Sequence, residues 1–87
     1  MKIIKVTAMW CMSCLVMQKV WSDVFKSYND IDVLAYDFDE DYEMIKKYNI
    51  GKVLPVLIVI DCDKEVLRII DEKSKKELIK LLDGIKR

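Results

Sequence analysis

The chain has 87 residues, 53% hydrophobic and 34% charged, with 15 basic residues against 15 acidic and no histidine. That is too little chain for two cores and too much apolar content for disorder, so a single domain over residues 1–87 is expected. A formal charge of zero supplies no global field to draw in nucleic acid or an anionic membrane. The absence of histidine excludes Cys-His and Ser-His catalysis and every histidine-containing metal site.

Lys2 to Ala8 (KIIKVTA) is short and β-branched and predicts a strand. From Ser13 the spacing turns helical, with Val16, Val20 and Val24 beside Met17, Trp21, Phe25 and Tyr28, so a strand runs into a long helix at the cysteines. Ile31 to Phe38 predicts a second strand, and Asp39 or Asp41 is expected to cap a short helix turning Tyr42, Ile45 and Tyr48 toward the core. Pro55 opens the run VLIVI, which suits a strand buried on both faces. Asp61 to Lys64 then turns the chain, and Glu65 to Ile70 returns as an antiparallel partner. Ser74 to Glu77 carries a capping-box pattern, and Leu78, Leu81, Leu82 and Ile85 follow on one helical stripe. The expected order is βαβαββα, an α/β fold.

The longest uncharged run, Val6 to Gln18, is thirteen residues. Spanning a bilayer takes roughly 18 to 20, so no membrane helix is expected. No small-x-small cleavage site follows that run, and removing it would discard Cys11 and Cys14, so it reads as mature protein. Three cysteines, Cys11, Cys14 and Cys62, are too few and odd in number for the stapled framework of a small secreted domain, which points to a cytoplasmic setting. The stretch Asp30 to Glu43 holds seven acids and no base and reads as a solvated acidic loop and strand that would repel acidic partners. Cys62 reads as an exposed thiol in the hairpin turn, away from the other two.

The chemistry centres on Trp10-Cys11-Met12-Ser13-Cys14, a C-x-x-C placed where the first strand gives way to a helix. At a helix start the unpaired backbone N–H groups and the positive dipole end stabilise a thiolate on Cys11, lowering its pKa from the free value of about 8.5. That makes Cys11 the expected nucleophile. Cys14 follows by nearly one turn, so its sulfur can reach Cys11 and close a disulfide while being the more buried, which makes it the expected resolving thiol.

Trp10-Cys11-Met12-Ser13-Cys14 after a first strand, then YDFDEDYEMIKKYNI, then VLPVLIVI, resembles the thioredoxin family over nearly the whole chain. The resemblance implies a thioredoxin-like fold with a four-stranded mixed sheet flanked by helices, and thiol–disulfide oxidoreductase activity. The redox-active Cys11–Cys14 pair would serve in place of any bound cofactor or metal. It also implies that Pro55 is the family's cis-proline, lying against the cysteine pair with Leu54 before it. Leu54 would then offer its backbone to an extended substrate segment by a short form of strand addition. Trp10 and Met12 would form an apolar rim for the substrate, a protein or small-molecule disulfide. Electrons would come from a flavoenzyme reductase or from glutathione, and the protein is expected to be a monomer.

Three departures from the family pattern stand out. The chain matches the minimal core of small glutaredoxin-like members, without the extra N-terminal strand and helix of longer ones. Met12-Ser13 replaces the common Gly-Pro, and this dipeptide tunes the thiolate and the redox potential. Lys5 stands where the family has a buried carboxylate, six residues before the first cysteine, and reads as a solvated strand-edge lysine rather than a catalytic group. Two other readings remain open. Met9 to Cys14 also fits M-x-C-x-x-C, the pattern of small Cu(I) carriers, in which two thiolates suffice for a soft ion. Those domains run βαββαβ, however. The remaining reading is a non-catalytic binding module on the same thioredoxin fold.

Overall fold

The structure is a computed structural model that describes residues 1–28 and 31–86. Asp30, the first acid of the acidic stretch, lies outside the described residues. The elements are β1 (Lys2–Thr7), α1 (Met12–Phe25), β2 (Asp32–Asp37), α2 (Tyr42–Lys47), β3 (Val56–Asp61), β4 (Lys64–Ile70) and α3 (Lys75–Lys86), the expected βαβαββα order. Four strands form one sheet in the order β2-β1-β3-β4. The β1 and β2 strands run parallel, joined through α1, whereas β3 is antiparallel to both β1 and β4.

This order explains the burial of the two inner strands. Alternation in β1 sends Ile3 to one face, where it packs with Met17, Trp21 and Val24 of α1, Leu57 and Val59 of β3, and Leu78 and Leu82 of α3. Ile4 and Val6 go to the other face with Val56 and Ile58, covered by Ile45 and Tyr48 from α2 and its end. Residues Val56 to Val59 are buried as the apolar run predicts. The β3–β4 turn is Cys62-Asp63, both with positive φ (53° and 63°), the backbone of a two-residue hairpin turn of the primed kind; Cys62 is exposed there.

Some expectations are corrected. The buried stripe of α1 is Cys14, Met17, Trp21 and Val24, while Val16 is 60% exposed. Tyr42 does not reach the core but stands 73% exposed in the first turn of α2, because that six-residue helix presents Ile45 to the sheet instead. Asp41 is the first flanking residue of α2 yet makes no side-chain cap; its carboxylate accepts the Asp37 N–H at 2.6 Å and ties off the β2–α2 loop. Leu78 and Leu82 are buried, but Leu81 is 36% exposed and faces outward. Ser74 does cap α3, its hydroxyl accepting the Glu77 N–H at 3.2 Å.

Lys5 is not on a sheet edge. It pairs with Ala35 of β2 on one side and Leu57 of β3 on the other, half-buried, with Nζ 5.7 Å from the centroid of the Trp21 ring. The edge expectation failed because β3, met late in the sequence, pairs with the flank of β1 left open by β2.

Candidate functional site

The chain leaves β1 at Thr7 and turns through residues 8–11, closed by the Cys11 N–H to Ala8 carbonyl bond at 3.1 Å, before α1 begins at Met12. Cys11 is therefore the residue that flanks the helix start, with extended backbone (φ −91°, ψ 106°). Its Sγ accepts the Cys14 N–H at 3.1 Å, so the sulfur occupies the position a serine or aspartate oxygen takes when it caps a helix. The same sulfur is bonded to Cys14, across a Cα–Cα separation of 5.3 Å. Cys11 is 6% exposed and Cys14 only 1%.

Two further segments converge on the pair. Cys11, Cys14, Leu54 and Val56 share one buried cluster with Ile4, Val6 and Ala8. The Leu54–Pro55 peptide bond is cis, with Pro55 buried and its carbonyl accepting the Asp71 N–H at 2.9 Å. Leu54 precedes β3, and its own backbone N–H and C=O have no hydrogen-bond partner among the described residues. The β2–α2 loop arrives from the other side. Asp39 Oδ2 accepts the Trp10 indole N–H at 2.8 Å, and Phe38 meets the Trp10 ring edge to face, centroids 6.1 Å apart.

All the sequence-derived site positions thus lie on the first turn of α1, the residues just before it, or the segment entering β3. Trp10 is 59% exposed, Met12 74% and Met9 90%, Ser13 is half-buried, and Leu54 is buried at 6%. Asp39 and Phe38 were not anticipated as part of the site. The hydrogen bond from Trp10 to Asp39 spans 29 positions, and nothing local announces it. Arg68 was missed for the same reason. Its guanidinium donates to the carbonyls of Tyr48 at 2.6 Å and Asn49 at 3.4 Å, pinning the start of the segment that leads to Leu54 and Pro55. Glu65 holds Arg68 in place through bonds of 2.8 and 2.9 Å, which draw the Glu65 carboxyl below its ordinary range. Among the described residues no group of three or more His, Cys, Asp or Glu side chains is arranged to hold a metal ion.

The family model for thioredoxin matches residues 1–84. The chain belongs to the thioredoxin family. Thioredoxin H2 of Arabidopsis thaliana is 27% identical over 84 residues, which are 97% of this chain and 62% of that protein, so the chain spans less than two thirds of that relative. Thioredoxin-2 of a malaria parasite, solved as a component of the protein secretion machinery, superposes with a TM-score of 0.86 at 24% identity, over 95% of this chain and 81% of that one. Thioredoxin 1 of Thermosipho africanus gives 0.84 at 24% identity, over 98% and 93%. At those identities the likeness establishes a thioredoxin fold, in which no helix among the described residues is long and apolar enough to cross a membrane.

Proposed function

We propose that this thioredoxin-family chain is a thiol–disulfide oxidoreductase in which Cys11 is the nucleophile and Cys14 the resolving thiol. The observation that carries the reading is the bond from the Cys14 N–H to Cys11 Sγ at a helix start. An amide aimed at a sulfur stabilises the thiolate more than the thiol, because a hydrogen bond to a charged acceptor is roughly twice as strong as one to a neutral acceptor. Cys11 thiolate attacks one sulfur of a substrate disulfide, the S–S bond breaks, and the other sulfur leaves as a thiolate that takes a proton from water. Cys14 then gives up its proton and attacks Cys11 Sγ, the second substrate sulfur departs, and the Cys11–Cys14 disulfide is left. Two electrons and two protons have moved to the substrate.

Leu54 and Pro55 form one wall of the approach, and the free N–H and C=O of Leu54 support pairing with an extended substrate segment. Trp10 and Met12 supply apolar contact, and Ser13 completes the dipeptide between the sulfurs. The Cys11–Cys14 pair is the redox group, with no bound cofactor or metal required. Reduction of that pair falls to a partner reductase or to glutathione, in a monomer of the cytoplasm. Incubating reduced Cys14→Ser protein with a disulfide substrate tests the mechanism. A mixed disulfide on Cys11, visible as an added mass and released by dithiothreitol, is expected. Its absence with every disulfide tried, or full activity in Cys11→Ser, overturns the assignment.

A further inference from the structure

We infer that the surface around the cysteine pair docks an extended polypeptide segment bearing basic side chains next to its disulfide. The inference rests on the oxidoreductase reading above and names the substrate class of that site.

The rim of the pair is an exposed apolar patch. Met9 (90% exposed), Trp10 (59%) and Met12 (74%) flank the cysteines in the chain, Val53 (52%) precedes Leu54, and Leu15 (56%) and Val16 (60%) are exposed just after Cys14 on α1. Large side chains held this far in solvent mark a contact surface, and methionine suits it because its flexible thioether adapts to varied partners. The patch alone does not say what lies on it. The charge beside it does.

Asp37, Asp39, Glu40, Asp41 and Glu43 follow one another with no base among them, and Asp39 is bonded directly to Trp10. Among the described residues the one ion pair is Arg68–Glu65, so none of these five carboxylates is held in an ion pair; the bases nearest to them in the chain are Lys46 and Lys47, exposed in the last turn of α2. Asp37 and Asp41 are turned inward to bond the loop's own backbone, while Glu40 and Glu43 are exposed. Between them opens a shallow cavity of about 360 Å³ lined by Glu40, Asp41, Tyr42, Glu43 and Met44. The Tyr42 ring, 73% exposed at its wall, supplies a face for an ammonium or guanidinium between carboxylates. The opposite flank, at Val53, carries the exposed Lys52 instead. The carboxylates thus gather beside Trp10 through Asp39, and a segment whose lysine or arginine falls on that side satisfies apolar rim and acids together.

The test uses the full chain, dithiothreitol as reductant, and two peptides of one sequence with one internal disulfide. They differ only in carrying Lys or Glu at three positions flanking a cysteine. Rates are normalised to the uncatalysed rate of each peptide with dithiothreitol alone. Steering by local charge changes association by about 10- to 1,000-fold, so kcat/KM is expected to favour the Lys peptide by at least about tenfold at low salt. The ratio should fall toward unity in 1 M NaCl, where the screening length is roughly 3 Å. Glu40→Lys with Glu43→Lys should reverse the preference. Equal rates, a preference for the Glu peptide, or a ratio unmoved by salt and by both substitutions overturns the docking inference and leaves the oxidoreductase reading standing. A per-molecule rate that falls as protein concentration rises places a second copy of this chain on the patch and overturns it too. Reduction of neither peptide removes the reading on which it rests.

Discussion

Arg68 ties β4 to the start of the segment that leads to Leu54 and Pro55, and its removal has a calculable cost. Its bidentate pair with Glu65 lies at the surface, with side chains 24% and 40% exposed, so this part contributes at most about 1 kcal/mol. The bond to the Tyr48 carbonyl, at 2.6 Å and part-buried, is of the charged kind that contributes about 1.5–3 kcal/mol. The Asn49 bond at 3.4 Å adds little. Arg68→Met, which keeps an apolar stem, should therefore cost about 2 kcal/mol, and Glu65→Gln less than about 1 kcal/mol. In a chain of this size 2 kcal/mol lowers the melting temperature by roughly 8–16 °C, so calorimetry at neutral pH separates the two. Acid provides the internal check. Glu65 titrates below its ordinary range because Arg68 donates to it, so its contribution is present above that range and is lost as pH falls through the folded-state value. Arg68→Met should keep most of its cost in 1 M salt, since the carbonyl bonds involve no second charge to screen. Equal costs for the two substitutions, or a cost for Arg68→Met that vanishes with salt, would refute the strut.

Leu78→Ala in α3 opens a void beside Trp21 and Ile3 and should destabilise by about 3–5 kcal/mol in denaturant titration, the range for fully buried leucines. Tyr28 has its phenol pushed up to about 12 by burial and by its 2.8 Å bond to Asp83, so absorbance titration should show one tyrosine ionising well after the usual range. The sign follows from linkage: the stabilisation is complete below the unfolded value of about 10 and is lost as pH rises through the folded value, and Asp83→Asn should bring Tyr28 down.

How much of this was legible in the sequence depended on how local the cause was. The C-x-x-C at a strand-to-helix junction is decided within a few residues by β-branched run, turn and periodicity, and Cys11 does flank α1 as that reading requires. The VLIVI run announced a strand buried on both faces by composition alone, as did the Asp61 to Lys64 turn by its polarity. Lys5 was misplaced because its surroundings are set by β3, more than fifty positions later, which pairs along its open flank. Tyr42 was misjudged because it is the first residue of a six-residue helix whose contact with the sheet is made by Ile45 and, at the helix end, Tyr48, and period alone does not say which end of so short a helix is left in solvent. Trp10–Asp39 and Arg68–Tyr48 join distant segments through single side-chain bonds, which leave no periodic trace.

The amide at Cys11 Sγ has a consequence beyond nucleophilicity. A thiolate, which exists only in the reduced protein, accepts that bond as a charge-assisted one, so whatever lowers the Cys11 pKa stabilises the reduced state relative to the disulfide. One pKa unit is about 1.36 kcal/mol, which for a two-electron couple is roughly 30 mV. Among substitutions at Met12 and Ser13, the residues between the sulfurs, the reduction potential should rise by roughly 30 mV for each unit by which the Cys11 pKa falls below the working pH, and less for changes above it. The two quantities are measured separately, the pKa by the pH dependence of alkylation and the potential by glutathione equilibria followed through Trp10 and Trp21 fluorescence. A potential between about −270 and −200 mV belongs to the range of thioredoxins and glutaredoxins, and one near −120 mV to an oxidant. A series in which lower pKa accompanies lower potential would mean that Met12 and Ser13 act on the disulfide rather than on the thiolate, and the helix-start account of this site would fail.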